Sequence, residues 1–270
     1  MEIMPIDNNL CALDFVISTV TEAGKLFQQD KVALIRQKAG MANWVTEVDL
    51  LIENYILQKI HRAFPTHSIL SEETASLLPT EIPKDLWICD PLDGTTNAIF
   101  GIPFCCVSLA YMHEGKIQYA AIYDIYRKKL YYAEYGKGAF VKNEAVDKIT
   151  KLKVREGGLQ NSLVCTGSPY RRPDFKPTWQ LMDKVHEADA RLVMLGSASL
   201  EIAYVSEGKL SLYYEKGLKP WDIAAATLIV TEAGGIATYL EGDFDLFHPQ
   251  TFICGNKNIV GEFCALFNER

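Results

Sequence analysis

The 270-residue sequence contains no C-x-x-C pair, no H-E-x-x-H run and no Cys/His zinc spacing, although it carries seven cysteines and five histidines. These absences argue against structural zinc and against a redox dithiol. Cys11, Cys89, Cys105, Cys106, Cys165, Cys254 and Cys264 are odd in number and lie mostly in apolar stretches, a pattern that fits reduced, buried thiols in a cytoplasmic protein. No window approaches the ~18 consecutive apolar residues of a membrane span. The N-terminus lacks a basic region and Asp14 breaks its apolar stretch, so no signal peptide and no membrane association are expected. Basic residues are the minority, 27 Lys and Arg against 34 Asp and Glu for a net charge of −7. This balance disfavours a general nucleic-acid binder, which has many phosphates to neutralise. Repeats, low-complexity segments and disordered linkers are also missing. What is present is a composition 49% hydrophobic, enough to bury a large core without disulfides or structural metal.

Leu10, Leu13, Ile17, Val20 and Phe27 recur at helical spacing behind Asp7 and Asn8 as caps. A second helix is expected from Thr46, where Thr46 and Asp49 have capping-box spacing, to a stop before Pro65. Short apolar runs at Ser68–Leu70 and Leu86–Cys89 end in acidic residues, as buried strands do when they deliver polar groups to a sheet edge. Phe104 to Val141 reads as an antiparallel meander. The remainder alternates: strand near Leu163–Cys165, helix near Phe175–His186, strand at Leu192–Leu195, helix near Ala198–Val205, strand at Leu210–Tyr214, and an apolar helix Trp221–Ala233 stopped by Gly234 and Gly235. A meander followed by alternating elements suggests helices layered on two sheets. The junction is placed near Thr150–Asn161, giving an N-terminal half of residues 1–155 and a C-terminal half of residues 156–270.

The chemistry centres on Trp87-Ile88-Cys89-Asp90-Pro91-Leu92-Asp93-Gly94-Thr95-Thr96-Asn97. A strand ending at Asp90 and a turn fixed by Pro91 would bring the Asp90 and Asp93 carboxylates together. Two unpaired carboxylates repel, and a divalent cation compensates them. Gly94 removes side-chain bulk, and the N–H groups of Thr95 and Thr96, if they open a helix, face an arriving anion. Each feature also has a plainer reading. D-P-L-D-G can be a turn with Asp as its hydrogen-bonding former, Glu72 and Glu73 can be loop charges, and Asp222 can be an acid favoured at a helix N-terminus.

Taken together, these residues resemble the inositol monophosphatase family over nearly the whole chain. The family's paired acids after a strand, its D-P-[IL]-D-G-T-T-N run, and its W-D-x-A-A followed by E-A-G-G are matched by Glu72-Glu73, Asp90–Asn97, Trp221–Ala225 and Glu232–Gly235. The resemblance implies a layered α-β-α-β-α sandwich of the α+β class and a magnesium-dependent phosphatase. It places Glu72, Asp90 and the Leu92 carbonyl on a first magnesium, and Asp90, Asp93 and Asp222 on a second, with a weaker third ion near Glu72. A hard cation prefers such oxygen ligands. Asp49 and Thr95 match the pair that helps activate the attacking water, although Asp49 also suits the capping box. Lys38 matches a loop lysine near the metals, where the plainer account is a solvated lysine. Gly196, Ser197, Ala198 and Glu215 match positions that contact substrate hydroxyls; Glu215 alone could equally be a strand-end charge. The phosphate-binding set is completed by Asp93, Gly94, Thr95, Thr96 and Asp222.

Three departures bear on loop geometry, third-ion affinity and substrate preference: Asn43 where the family commonly has Asp, Ser71 where it has Gly, and Ala98 where it has an aromatic residue. The expected substrate is inositol monophosphate. Alternatives are fructose 1,6-bisphosphate or dual sugar specificity, a nucleotide 3′-phosphate, and a non-catalytic regulatory binding role. Lithium sensitivity and a homodimer are further expectations of the resemblance.

Overall fold

The structure, a computed structural model, describes residues 12–37, 44–75, 77–168 and 172–268. Lys38, Asn43 and the proposed caps Asp7 and Asn8 lie outside the described residues. Helix α1 spans Ala12–Gly24 and buries Phe15, Val16, Thr19, Val20 and Ala23. Phe27, assigned to it by spacing, lies past its end. Strands β1 (Leu34–Gln37) and β2 (Trp44–Thr46) pair antiparallel.

Helix α2, Glu47–Ala63, starts at the expected capping box. The Asp49 amide donates to Thr46 Oγ1 at 3.4 Å and the Thr46 amide to Asp49 Oδ2 at 2.9 Å, so two otherwise orphaned N–H groups are satisfied. Ile52, Ile56 and Ile60 repeat every fourth residue and are fully buried, each contributing about 1.5–3 kcal/mol of transfer free energy.

A seven-stranded sheet follows in sequence order: β3 (Ser68–Ser71), β4 (Asp85–Asp93), β5 (Cys106–His113), β6 (Lys116–Asp124), β7 (Lys129–Glu134), β8 (Gly138–Asn143) and β9 (Lys148–Lys151). Strand β3 runs parallel to β4, and every other pair is antiparallel. The expected meander is present, extended by β9. One local expectation is corrected: β4 does not stop at Asp90 in a proline turn but continues through Asp93. Asp90 faces Ser108 and Asp93 faces Cys106, so three steps on β4 oppose two on β5. This is a bulge, and Pro91, which has no N–H for the ladder, sits inside it. Short helix α3, Thr95–Ile99, begins immediately afterwards, with Gly94 as its cap.

The second sheet has the order β11-β10-β12-β14-β13. It comprises β10 (Leu163–Thr166), β11 (Arg191–Val193), β12 (Leu212–Lys216), β13 (Ile236–Tyr239) and β14 (Thr251–Gly255), interleaved with α4 (Arg172–Glu187), α5 (Ala198–Ser206), α6 (Pro220–Glu232) and α7 (Lys257–Asn268). The alternation expected from the sequence is present, with boundaries displaced by up to three residues, the largest at the start of α4. Strands β13 and β14 and helix α7 had no counterpart in it.

The layers follow from what each apolar face covers. Helices α1 and α2 pack on β4, β5 and β6 on one side of the larger sheet. Helices α5 and α6 lie between the two sheets, with α6 against β4 to β8 and α5 against β12 and β14. Helices α4 and α7 close the outer face of the smaller sheet. The result is a layered α-β-α-β-α fold of the α+β class. All described cysteines are free thiols, and five of the six are buried. No helix among the described residues is long and apolar enough to cross a membrane.

Candidate active site

The loop after β3, the β4 bulge, the first turns of α2 and α6, and β12 supply the acidic residues singled out by the sequence, and the starts of α3 and α5 supply the hydroxyls and amides beside them. Asp90 is buried and its Oδ1 accepts from the Leu92 amide at 3.0 Å, which folds the bulge around its own carboxylate. Gly94 turns the chain with φ +96°, and a Cβ there would lie 2.8 Å from the Phe104 carbonyl oxygen. Glycine is therefore required on both conformational and steric grounds. Thr95 follows, its Oγ1 2.9 Å from Asp49 Oδ1 and 2.9 Å from the Leu92 carbonyl oxygen. A single hydroxyl proton serves one acceptor at a time.

Asp49 is thus both a helix capper and the partner of Thr95. Burial pushes its carboxyl up to about 6, against the opposing effect of its Thr46 and Thr95 hydrogen bonds. The nearby Glu72 charge acts in the same direction as burial. Glu72 sits just past β3, its amide donating to the Cys89 carbonyl at 3.2 Å. The turn that carries it is held from α2, where buried Glu53 accepts from the Thr74 amide at 3.1 Å and the Thr74 hydroxyl at 3.2 Å.

Asp93 faces the C-terminal part of the chain. Its Oδ2 accepts from Ser197 Oγ at 2.9 Å and from the Ser199 amide at 2.6 Å. Asp222, the third residue of α6, accepts from the Lys219 amide at 2.6 Å, and its carbonyl accepts from Ser199 Oγ at 2.8 Å. Burial raises the carboxyls of Asp93 and Asp222, and Glu72 raises both further. Asp222 is also raised by Asp93 and Glu215. Glu215, on β12, is buried and accepts from the Tyr213 hydroxyl; burial pushes it up to about 8.

The charge of Glu72 acts on Asp93 and Asp222, and Asp93 and Glu215 act on Asp222, so the four share one electrostatic environment although they come from both ends of the sequence. Among the described residues no three acidic, His or Cys side chains form a ready-made metal cage. The donor chemistry nevertheless fits a hard divalent cation. Clustered carboxylates raise one another's proton affinity, and only protons or a cation relieve that repulsion.

Sequence reasoning missed three residues that shape the site. Asn97 donates through Nδ2 to the carbonyls of Phe104 at 2.8 Å and Leu195 at 2.7 Å, so the motif's last residue ties the bulge to the turn before α5. Glu201, buried in α5, accepts from the Leu195 amide at 2.6 Å and the Cys165 thiol at 2.8 Å. Glu53 is the third. It lies four residues after Asp49, one turn along the same helix face, and that spacing was its available signal. For Glu201 the signal was one acid in an otherwise uncharged helix.

The model of the inositol monophosphatase family matches residues 10–270. The chain is 32% identical over 258 residues to Nus factor SuhB of Escherichia coli, covering 94% of each. It is 32% identical over 259 residues to a protein of Thermotoga maritima named fructose-1,6-bisphosphatase/inositol-1-monophosphatase, covering 95% of this chain and 96% of that one. Among solved structures, the extragenic suppressor protein suhB of Bartonella henselae superposes with TM-score 0.85 at 29% identity, over 96% of this chain and 98% of that one. An IMPase/NADP phosphatase complexed with magnesium and phosphate superposes with TM-score 0.77 at 28% identity, over 89% and 88%. The match runs through the acidic strand ends and helix starts described above, and the chain belongs to the inositol monophosphatase family.

Proposed function

We propose that the protein is a magnesium-dependent phosphatase acting on a small polyol phosphate monoester, with inositol monophosphate as the favoured substrate. The observation that carries this reading is the shared electrostatic environment of Glu72, Asp93 and Asp222 beside the Thr95–Asp49 pair. Glu72, Asp90, Asp93, Asp222 and the Leu92 carbonyl are the oxygen donors for magnesium. The relative solved with magnesium and phosphate supports magnesium as the cation. Bound there, magnesium supplies charge neutralisation and polarises the phosphate ester.

The chain's own residues supply orientation and proton handling. Thr95 Oγ1 and Glu72 hold a water in line with phosphorus, and Thr95 relays its proton toward Asp49 Oδ1. Asp49 is suited to receive it because burial raises its carboxyl to about 6, close to neutral working pH. As the new P–O bond forms, the ester P–O bond breaks, the leaving oxygen takes a proton from a water beside Asp222, and the hydroxide so formed takes back through solvent the proton relayed to Asp49. The products are the free alcohol and inorganic phosphate. The amides of Gly94, Thr95 and Thr96 receive phosphate oxygens, while Gly196, Ser197, Ala198 and Glu215 meet the substrate hydroxyls.

The Thermotoga relative's double name favours a second reading, in which a sugar bisphosphate is also hydrolysed. The relatives named Nus factor SuhB favour a third, in which the chain serves as a regulatory binding protein. A panel of phosphate esters assayed for released phosphate, with magnesium and with chelator, separates the three. Magnesium-dependent turnover favouring inositol monophosphate is expected. Tenfold preference for fructose 1,6-bisphosphate selects the second reading, and no turnover of any ester sinks the enzymatic proposal. Lithium is expected to inhibit by displacing a magnesium.

A further inference from the structure

Helix α5 packs between the two sheets, and Glu201 is its only charged residue. A buried carboxylate without a cation costs several kcal/mol unless hydrogen bonds satisfy it. The partners of Glu201 are specific. One oxygen, Oε1, accepts from the Leu195 amide at 2.6 Å and from Cys165 Sγ at 2.8 Å. Glu201 therefore grips the Leu195 N–H just ahead of its own helix, while its backbone amide donates to the Ser197 carbonyl at 2.9 Å.

The same turn is held from the opposite side of the molecule. Asn97 Nδ2 donates to the carbonyl of Leu195 at 2.7 Å and lies 3.3 Å from that of Gly196. The turn's carbonyls are taken by a residue of the β4–α3 motif and its Leu195 amide by a residue of α5. Gly196, with φ +84°, sits close under Asn97, whose Nδ2 a Cβ on it would meet at 3.1 Å. From this turn Ser197 donates to Asp93 Oδ2, and the Ser199 amide converges on the same oxygen.

We infer that Glu201 is a positioning residue: its carboxylate clamps the Leu195 amide and thereby fixes where Ser197 and the hydroxyl-contacting turn stand relative to Asp93. The inference rests on the phosphatase reading for its catalytic consequence but not for its structural one. Among the described residues no hydrogen bond joins Glu201 to the phosphate donors or to the Thr95–Asp49 pair. Its loss should therefore weaken recognition of a polyol more than reaction with a phosphate lacking hydroxyls.

The test compares Glu201→Met, which keeps the volume and removes the acceptor, with Glu201→Gln, which keeps an acceptor oxygen. A third variant, Cys165→Val, disturbs the same core but leaves the clamp. Amide hydrogen–deuterium exchange reads the turn directly, and KM and kcat are measured on inositol 1-phosphate and p-nitrophenyl phosphate. Glu201→Met is expected to lose about tenfold protection across residues 195–199 and to raise KM for inositol 1-phosphate about tenfold, as loss of one hydrogen bond to a charged group implies. KM for the aryl ester and global unfolding should move little. Glu201→Gln should recover most of both losses, and Cys165→Val should show neither.

Equal KM changes on both esters, the same split in Cys165→Val, a Glu201→Gln variant indistinguishable from Glu201→Met, or a Glu201→Met chain that does not fold would each overturn the positioning role. If the unmodified protein turns over neither ester, the phosphatase reading fails by itself, and the exchange data alone decide the claim about Glu201.

Discussion

Ser197 donates its hydroxyl to Asp93 Oδ2 over 2.9 Å, across 104 residues of sequence. The contact joins the bulge of β4, in the larger sheet, to the N-terminus of α5, which packs under the smaller one. The acidic site is therefore a product of the two sheets docking. Neither sheet alone places Asp93 near Asp222.

Asp93→Asn tests the cation-binding role with little change of shape. The amide retains an oxygen for the Ser197 hydroxyl and the Ser199 amide, so the fold should survive with a near-normal unfolding midpoint. It removes a charge from the proposed magnesium donors. Losing several kcal/mol of charge stabilisation corresponds to kcat lower by roughly 100-fold or more. Near-normal kcat at saturating magnesium and substrate would remove Asp93 from the proposed metal site.

Substrate choice is tested one strand away. A Cβ on buried Gly167 would lie 2.0 Å from a Glu215 carboxylate oxygen, and Glu215 is itself enclosed and bonded to Tyr213. Gly167→Ala should therefore displace the Glu215 carboxylate without touching the phosphate donors. Loss of a charge-assisted hydrogen bond to a ring hydroxyl costs about 1.5–3 kcal/mol, so kcat/KM for inositol monophosphate should fall roughly ten- to a hundredfold. Aryl phosphate turnover should hold, and a parallel loss on both esters would count against Glu215 as a selector.

Much of this site was legible because its signals are local. Thr46 and Asp49 are three residues apart, Asp90 to Asn97 form one run, and Asp222 stands at the start of an apolar helix. The features that escaped are those whose meaning depends on distant partners. Asn97 acquires its role only when Leu195 arrives, 98 residues later, and the Cys165 thiol that donates to Glu201 comes from β10, 36 residues before that helix residue. The same limit explains the misplaced end of β4. Proline usually marks a turn, but here β5 continues alongside, and the chain absorbs Pro91 as a bulge. Strands β13 and β14 were not anticipated because their pairing with each other and with β12 is set by the sheet rather than by a local pattern.

The buried acids make a prediction about pH in the metal-free protein. Burial raises Glu201 from 4.5 to about 7 and Glu215 from 4.5 to about 8. Between those limits the folded state holds protons that the unfolded state has released, so stability contributed by these groups is fully present near pH 4.5 and is lost as pH rises through 7 and 8. With chelator present, unfolding free energy should fall between these pH values by up to about 1.4 kcal/mol per pH unit for each group. Glu215→Gln should flatten the upper part of the curve, and magnesium should restore stability at its alkaline end by binding the folded state. An unfolding free energy that stays level from pH 5 to 8 in chelator would contradict the burial assigned to both acids.

A last prediction concerns a site remote from the acids, where charge is compensated rather than concentrated. Glu207, directly after α5, accepts from Lys129 Nζ at 2.8 Å, Lys209 Nζ at 2.7 Å and the Tyr131 hydroxyl at 2.6 Å. Burial acts to raise its carboxyl, but the hydrogen bonds of the two lysines and the tyrosine prevail and hold it below the usual range. The lowered carboxyl contributes stability that is present above the unfolded glutamate range and is lost as pH falls through the still lower folded value. Because Lys129 and Tyr131 belong to β7, Glu207 fastens the end of α5 to the larger sheet. Glu207→Ala leaves the buried Tyr131 hydroxyl and a half-enclosed lysine without their acceptor, which should cost about 1–3 kcal/mol. Denaturant titration at neutral pH should show that loss with an unchanged m-value, whereas titration near pH 3 should show a smaller difference between variant and parent. Equal differences at both pH values would mean that the tether acts through packing, and that the paired charge on Glu207 contributes nothing.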